Sequence, residues 1–560
     1  MTTAPPPRPP VDPRLALARP AGPYPPLAAQ PAAARPAPQP SAWERRWPGA
    51  TGAARPVVLG AVAVAAGVTA SVVPLDRPGL GWLVAAVAGA AALGTAAVIR
   101  PRPAQPAPAP AMSPQAGVPE ESSTTAGAGA AARPGATGAS GRAARLAWAA
   151  ATVALVGVGT VRAAGWLFVL CLLAAIGTAS LAVAGGRTPL GLLVAGVLPP
   201  IAAVRALPWA ARGLPRPRPG GPSVGRTLAS LGVTAVLLLL FGLLFSSADA
   251  VFAGLVADAL PDISTGDEFG WVFRLLLVGA VLFGGAYLLA APPDLELRVG
   301  PARVVRRLEW VLPLALLDAL FAAFVLVQLT VLFGGSNHVL GTAGLTYAEY
   351  ARGGFWQLLA VSTLTLLVIA GAMRWAPRRT RADRALIRLL IGGLTVLSLV
   401  VVASALYRMR VYTDAYGATR LRLVVATVEL WLGLLFVLVG VATIRLRGAW
   451  LPRLVLGAGV VALLGLAVVN PDRLIVDRNV DRWQRVDRLD VAYLSQLSAD
   501  AVPALDRLPE PMRSCALREI AARLTEDGWR AANVGRAQAR AVLGPDPAEA
   551  DATGCPYPHP

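Results

Sequence analysis

The sequence predicts an all-α fold: a polytopic transmembrane helical bundle of about eleven to twelve spans, followed by a small extracytoplasmic helical domain. Two observations carry this expectation. Hydrophobic residues make up 55% of the 560 positions and charged residues only 15%, with a mean hydropathy of +0.57, whereas a soluble chain carries about 25% charged residues. The apolar residues are also gathered in runs long enough to span hydrocarbon, which takes about 17 to 25 residues, and polar breaks separate the runs.

Pro, Ala and Arg dominate residues 1–56. This leader is expected to be disordered, because it cannot bury enough apolar surface to offset chain entropy. It lacks the early apolar core of a cleavable signal peptide, so the first span is expected to serve as an uncleaved signal anchor. A transmembrane hairpin over 57–100 follows, with segments at 57–73 and 82–99, and a second Pro-, Ala-, Gly- and Ser-rich stretch at 101–143 reads as a disordered linker. The transmembrane core occupies 144–470, with segments at 146–161, 165–184, 189–207, 227–246, 269–291, 310–334, 354–375, 386–406, 423–444 and 450–469. Residues 471–560 form the soluble helical tail. Within it Val480, Trp483 and Val486, then Leu489, Tyr493 and Leu497, recur at helical spacing, and further helices are expected over 511–526 and 529–543.

Arginine sets the orientation, since short cytoplasmic loops retain positive charge. Arg212, Arg216, Arg218 and Arg226, then Arg298, Arg303, Arg306 and Arg307, then Arg378, Arg379, Arg381 and Arg384 mark three such loops. The acidic loop 247–268 and the loop 335–353 alternate with them and should face outward, as should the tail. The outward loop 407–422 is an exception, with Arg408, Arg410, Arg420 and Arg422. Five full spans before residue 208 would invert the pattern, so eleven spans are favoured, the Pro199-Pro200 segment being re-entrant. The composition, rich in Ala, Gly, Pro and Arg, is that of a GC-rich genome, and a bacterial plasma (inner) membrane is the expected location.

All 51 basic residues are arginines. A chain without lysine has no P-loop phosphate site and no Schiff-base chemistry. His338 and His559 with Cys171, Cys515 and Cys555 are too few and too scattered for a zinc site. No catalytic residue, cofactor or metal is assigned. The net charge of +19 is spread over loops and leader rather than gathered on one face, which argues against nucleic acid as a partner. The partners expected are the lipid bilayer and an envelope or protein partner reached through the tail.

Asp318 and Glu429 lie inside apolar runs, where a carboxyl is costly and either pairs with a base, such as Arg388 or Arg274, or serves a path for ions or protons. Gln328 reads as an interhelical hydrogen-bonding residue. Asp249, Glu349 and Arg352 could meet at an outer surface, although Glu349 and Arg352 with Tyr347, Tyr350 and Trp356 equally describe an interfacial anchor. Cys515 and Cys555, both outside the spans, are a candidate disulfide in an oxidising compartment.

FSSADAVFAGL (245–255), LTYAEYARGGFWQLL (345–359), YRMRVYTDAYGATRLR (407–422), NPDRLIVDRNVDRW (470–483) and LDVAYLSQLSADAVPAL (489–505) together carry a resemblance. The chain resembles, over roughly 220–510, an uncharacterised family of bacterial multi-pass membrane proteins known as a domain of unknown function. That resemblance implies membrane residence and no activity. Three function classes remain: a non-enzymatic scaffold or sensor of the cell envelope, a transporter or channel using Asp318, Glu429 and Gln328, and a lipid-modifying enzyme using Asp249 or Glu349 as base.

Overall fold

The computed structural model describes residues 41–50, 52–99, 134–186, 188–213, isolated positions between 234 and 249, 265–295, 305–333 and 355–544. By contact density residues 1–45 and 46–560 are separate units. In the first, Ser41 caps the helical turn α1 (Ala42–Arg46): its Oγ accepts from Glu44 N–H, and the Glu44 carboxylate accepts from Ser41 N–H. In the second, the apolar runs form α2 (Pro56–Val72), α3 (Leu80–Val98), α4 (Pro134–Val161), α5 (Gly165–Ala184), α6 (Pro189–Gly213), α7 (Thr265–Ala290), α8 (Arg307–Phe333), α9 (Phe355–Trp375), α10 (Arg381–Tyr416), α11 (Arg420–Arg445) and α12 (Leu451–Val469). The segment expected at 227–246 lies mostly outside the described residues.

Three clusters build the bundle, one of them where α4, α5 and α12 meet around Leu155, Leu167, Cys171 and Leu466. Small residues let α2, α3, α5, α6 and α7 approach closely around Val62, Ala92, Ala195, Ala202 and Ala286. Larger side chains of α8, α9, α10 and α11 pack around Phe321, Ile369, Ile391, Leu394 and Phe436. Opposite faces of the same helices stay open, as at Leu316, Leu320, Leu367, Val396 and Leu430, which is where lipid tails belong. No strand occurs among the described residues.

Two ends of the bundle can be told apart by their contacts. At one, the tail face, lie the α2–α3, α4–α5 and α10–α11 turns and the start of the tail. At the other lie the α9–α10 and α11–α12 turns and the approach to α2. Length and composition would count α6 as a span, but it enters and leaves at the second face. Near its start Thr188 Oγ1 donates to Leu295 O, beyond the end of α7. Near its end Trp209 O accepts from Ala54 N–H, just before α2. Its middle crosses Gly284 of α7, where a Cβ would lie 2.8 Å from Pro199 O and 2.8 Å from Ala203 N. Three prolines, Pro199, Pro200 and Pro208, remove backbone donors from this helix. Carbonyls freed in this way are costly in hydrocarbon and tolerable near the boundary. Arg205 and Arg212 stay at that boundary, donating to Trp47 O and Ala50 O.

The end of the leader differs from its expectation. Trp47 is fully buried, donates Nε1–H to Ala291 O at 2.8 Å, and stacks obliquely on Tyr287, and Ala54 is buried as well, so both belong to the packed core. Helix α4 likewise begins at Pro134, inside the stretch read as linker.

Helix α10 is 36 residues long, about 54 Å at 1.5 Å per residue, against about 30 Å of hydrocarbon. Its last turns therefore rise above the membrane as a post. This helix starts at a capping box, Thr380 with Asp383, held by Arg307 from the start of α8. The tail comprises α13 (Pro471–Val486), α14 (Val491–Ser495), a 3-10 turn (Ala499–Ala501), α15 (Val502–Leu505), α16 (Met512–Arg523) and α17 (Val534–Leu543) around a core of Val476, Leu494, Val502, Leu505 and Leu517. Asp487 at φ 51 ends α13, so Val480 and Leu497 do not share the single helix their spacing suggested.

The geometry of α6 makes a prediction. Cysteines introduced at Thr188 and Arg212 should react with an impermeant thiol reagent from the same side as one at Ala382, and from the side opposite one at Asp76. Labelling of Thr188→Cys and Arg212→Cys from opposite sides would make α6 a true span.

Candidate functional site

The residues singled out by sequence are not brought together. Asp318 lies beside Gly393 of α10, where a Cβ on the glycine would be 3.7 Å from Asp318 Oδ2. Glu429 is 1% exposed and sits one turn from Gly433, where an added Cβ would meet Val402 at 3.3 Å. Measured along α10 the two acids are about 20 Å apart at 1.5 Å per residue. Neither has an ion-pair partner among the described residues, and Asp318 Oδ1 and both Glu429 carboxylate oxygens lack hydrogen-bond partners. Of the two bases proposed for them, Arg274 instead donates to Ala70 O. Gln328 is interhelical as expected: its Oε1 accepts from Ser404 Oγ at 3.1 Å and Arg408 Nη2 at 2.7 Å. Asp249 is exposed, while Glu349 and Arg352 lie outside the described residues.

The dense polar constellation is elsewhere, where the tail docks on the bundle. Asp472, two residues into the tail, is fully buried. Its Oδ1 accepts from Arg420 Nε at 3.0 Å and Trp166 Nε1 at 3.2 Å, and its Oδ2 accepts from Arg420 Nη2 at 2.6 Å and Ser498 N–H at 2.9 Å. One carboxylate thus ties the starts of α11 and α5 to the tail. Tyr493 Oη accepts from Arg420 N–H at 2.8 Å, completing the arginine's surroundings. Burial by itself raises the Asp472 carboxyl; the Arg420 guanidinium and Ser498 outweigh it and hold the group below the usual carboxylate range.

Asp500 is 3% exposed, and its Oδ2 accepts from Ala163 N–H at 2.7 Å and Ala164 N–H at 3.0 Å, ahead of the first turn of α5. Its Oδ1 has no partner and lies against Gly535 in the first turn of α17. Two helix N-termini, each with a partial positive charge, thus face one carboxyl. Burial nevertheless pushes this carboxyl above its ordinary range, against the pull of the two N–H groups and Arg162, and the nearby Asp472 adds to the rise.

Two further contacts complete the docking. Asn479 pairs both ways with the backbone of Ala418, donating to its O at 2.9 Å and accepting from its N–H at 3.0 Å, and a side chain at Gly417 (φ 83) would overlap Asn479 Oδ1. Arg482 donates to Asp414 O and Ala415 O, satisfying carbonyls at the end of α10. On the far side Asn533 donates to Gly159 O and Arg162 O. The carbonyls of Arg530 and Ala532 accept from Gly81 N–H and Leu80 N–H at the open start of α3. The Asp527 carboxylate, its side chain 2% exposed, gathers Arg536, Arg540 and Arg77.

Sequence reasoning passed over Asp472, Asn479 and Asp500, reading the tail only for its apolar stripe. The signal was present: Asp472 and Asn479 fall on the buried stripe of Ile475, Val476 and Val480, polar where helical periodicity demands apolar. Cys515 is disulfide-bonded, and its expected partner Cys555 lies outside the described residues.

Removing one partner of a buried ion pair costs about 3 kcal/mol or more, so Asp472→Asn and Arg420→Gln should each free the tail for trypsin cleavage at low temperature. The two acids respond oppositely to pH. The contribution of Asp472, whose folded value is depressed, is lost as pH falls through that value. The contribution of Asp500, whose folded value is raised, is present below the ordinary carboxylate range and lost as pH rises through the folded value. Asp500→Asn should therefore flatten the upper limb of the tail's stability profile and leave the acid limb intact; an unchanged upper limb would remove Asp500 from this account.

Neither the curated proteins nor the solved structures hold a match to this chain. The family profile described as Domain of unknown function (DUF4153) matches residues 150–508, reaching further toward the N-terminus than the motifs suggested. That span runs from α4 through the buried acids Asp472 and Asp500 to the end of α15, and the chain belongs to this family of multi-helix proteins.

Proposed function

We propose that this integral membrane protein is a non-enzymatic scaffold or sensor of the bacterial cell envelope, whose bundle presents a rigid helical domain, described over 471–544, at the extracytoplasmic face. The observation that carries this reading is the docking itself. Three separate turns of the bundle, at 73–79, 162–164 and 417–419, bind the tail through backbone atoms and buried carboxylates. Such a contact holds a domain in one orientation, which suits presentation to a partner in the envelope. Arginine placement supports the orientation: Arg374, Arg378, Arg379, Arg381 and Arg384, with Arg445, Arg447 and Arg453, gather at the face opposite the tail. The arginines of 407–422 that oppose the rule are largely engaged, Arg420 by Asp472, Arg408 by Gln328 and Arg422 by Gly417 O. A disulfide at Cys515 fits an oxidising compartment.

Transport is the second reading, favoured by the unpartnered carboxyl oxygens of Asp318 and Glu429. The separation of these acids along the bundle gives it no continuous path. The lipid-modifying reading rested on Asp249 or Glu349 as base and gains no support: Asp249 is exposed and Glu349 lies outside the described residues.

Strain phenotypes discriminate the readings. Asp472→Asn should reproduce the envelope phenotype of a full deletion, and Asp318→Asn and Glu429→Gln should be silent. The reverse pattern, with proton or solute flux in proteoliposomes abolished by Asp318→Asn, would replace the scaffold by a transporter. Orientation has its own test: after reduction, an impermeant maleimide should modify Cys515 in intact cells, and modification only after lysis would place the tail in the cytoplasm.

A further inference from the structure

Beside the tail's docking contacts, a cleft of about 420 Å³ opens between the ends of α10 and α11 and one face of α13. Its upper wall carries five arginines, Arg410, Arg422, Arg478, Arg482 and Arg485, against two acids, Asp414 and Asp481. On α13 the lining residues Leu474, Arg478, Arg482 and Arg485 recur every three or four positions, with Asp481 beside them, so they form one continuous face.

The charge of this wall is not spent within the protein. Arg422 donates to Gly417 O and lies over the Tyr412 ring at 4.2 Å. Arg482 donates to Asp414 O, Ala415 O and Arg488 O, and Arg485 to Asp481 O. All of these acceptors are neutral carbonyls. None of the five guanidinium groups is in an ion pair with a carboxylate among the described residues, and Arg410 and Arg478 are exposed. Five cations converging with so little compensation repel one another unless an anion joins them, and guanidinium forks match phosphate oxygens best.

The lower wall decides the kind of anion. Leu406, Leu423, Ala426 and Leu474 line it, and Leu406 and Ala426 lie about 10–15 Å below the α10–α11 turn at 1.5 Å per residue. Counted from Arg381 at 1.5 Å per residue, about 30 Å of hydrocarbon ends near residue 401 of α10. The cleft therefore runs from an arginine collar above the membrane down to apolar side chains, Leu406 and Ala426, at the boundary where acyl chains begin. A soluble phosphate would use the collar alone; a phospholipid would use both walls.

We propose that this cleft binds the phosphate headgroup of an anionic phospholipid, with the glycerol end of its acyl chains against Leu406 and Ala426. The site is independent of the scaffold reading and of which leaflet the tail faces, so either can fail without the other.

The test uses the full-length protein in mixed micelles containing equal phosphatidylglycerol and phosphatidylcholine, with bound lipid counted by native mass spectrometry. The wild type should retain phosphatidylglycerol preferentially. Arg410 and Arg478 are exposed and hold no ion pair among the described residues, so the double variant Arg410→Gln with Arg478→Gln should keep its melting temperature. Its preference should fall about fivefold per arginine, from about 1 kcal/mol for each basic residue near an anionic surface. Arg530→Gln, outside the cleft, should change nothing. Equal retention of both lipids by the wild type, an undiminished preference in the double variant, or an equal loss in Arg530→Gln would each overturn the proposal. Displacement of phosphatidylglycerol by millimolar inorganic phosphate or glycerol 3-phosphate would overturn the lipid assignment in favour of a soluble phosphate ligand.

Discussion

Asp472 stands where α12 leaves the membrane, and its fully buried carboxylate meets Arg420, Trp166 and Ser498 at once. Taking such a group out of water costs several kcal/mol, and only good geometry with every lone pair engaged offsets it. That requirement has consequences for neighbouring elements. Asn470 at φ 56 must turn the chain sharply to bring Asp472 inward. Helix α11 must begin at Arg420 and no later, and Ser498 must present its N–H to the same carboxylate. Asp500, reached through Ser498, then seats the 3-10 turn against the start of α5. The tail's orientation follows from satisfying one buried charge and its neighbour.

The bilayer imposes the complementary constraint, that backbone groups in hydrocarbon be satisfied within their own helices. It explains why α6, apolar and 25 residues long, crosses the end of α7 instead of the membrane: its three prolines free carbonyls that the boundary tolerates better than the interior. It explains equally why the post of α10 is safe above the membrane. There its terminal carbonyls are taken by Arg482, and its helix ends at Gly417, the position that Asn479 closes off. The arginines of this region violate a simple count of loop charge because they belong to the docking surface and the cleft beside it. Positive charge at that face is held by Asp472, by carbonyls and, in the proposed lipid site, by a phosphate.

These relations give the family's motifs a physical meaning. The stretch 407–422 supplies the post, its terminating glycine and Arg420; 470–483 supplies Asp472, Asn479 and Arg482; 489–505 supplies Tyr493, Ser498 and Asp500. All three converge on one junction. The intramembrane acids, by contrast, are separated by about 20 Å along α10 at 1.5 Å per residue, and Gln328 serves a local bond between α8 and α10.

Much of the architecture is legible in the chain alone. Apolar runs of spanning length predict α2, α3, α5, α7, α8, α9, α11 and α12 to within a few residues, because in hydrocarbon a backbone must close its hydrogen bonds locally and so follows local composition, whereas α10 continues ten residues past its apolar run. The helical tail and the interhelical role of Gln328 are equally local inferences. The tertiary structure alone decides that Asp472 and Asp500, 28 positions apart, share Ser498, that Trp47 of the Pro-rich leader is core, and that five arginines from three helices face one cleft. Each depends on which helix ends meet, and a periodicity records only which face of a helix is apolar, never which neighbour will cover it.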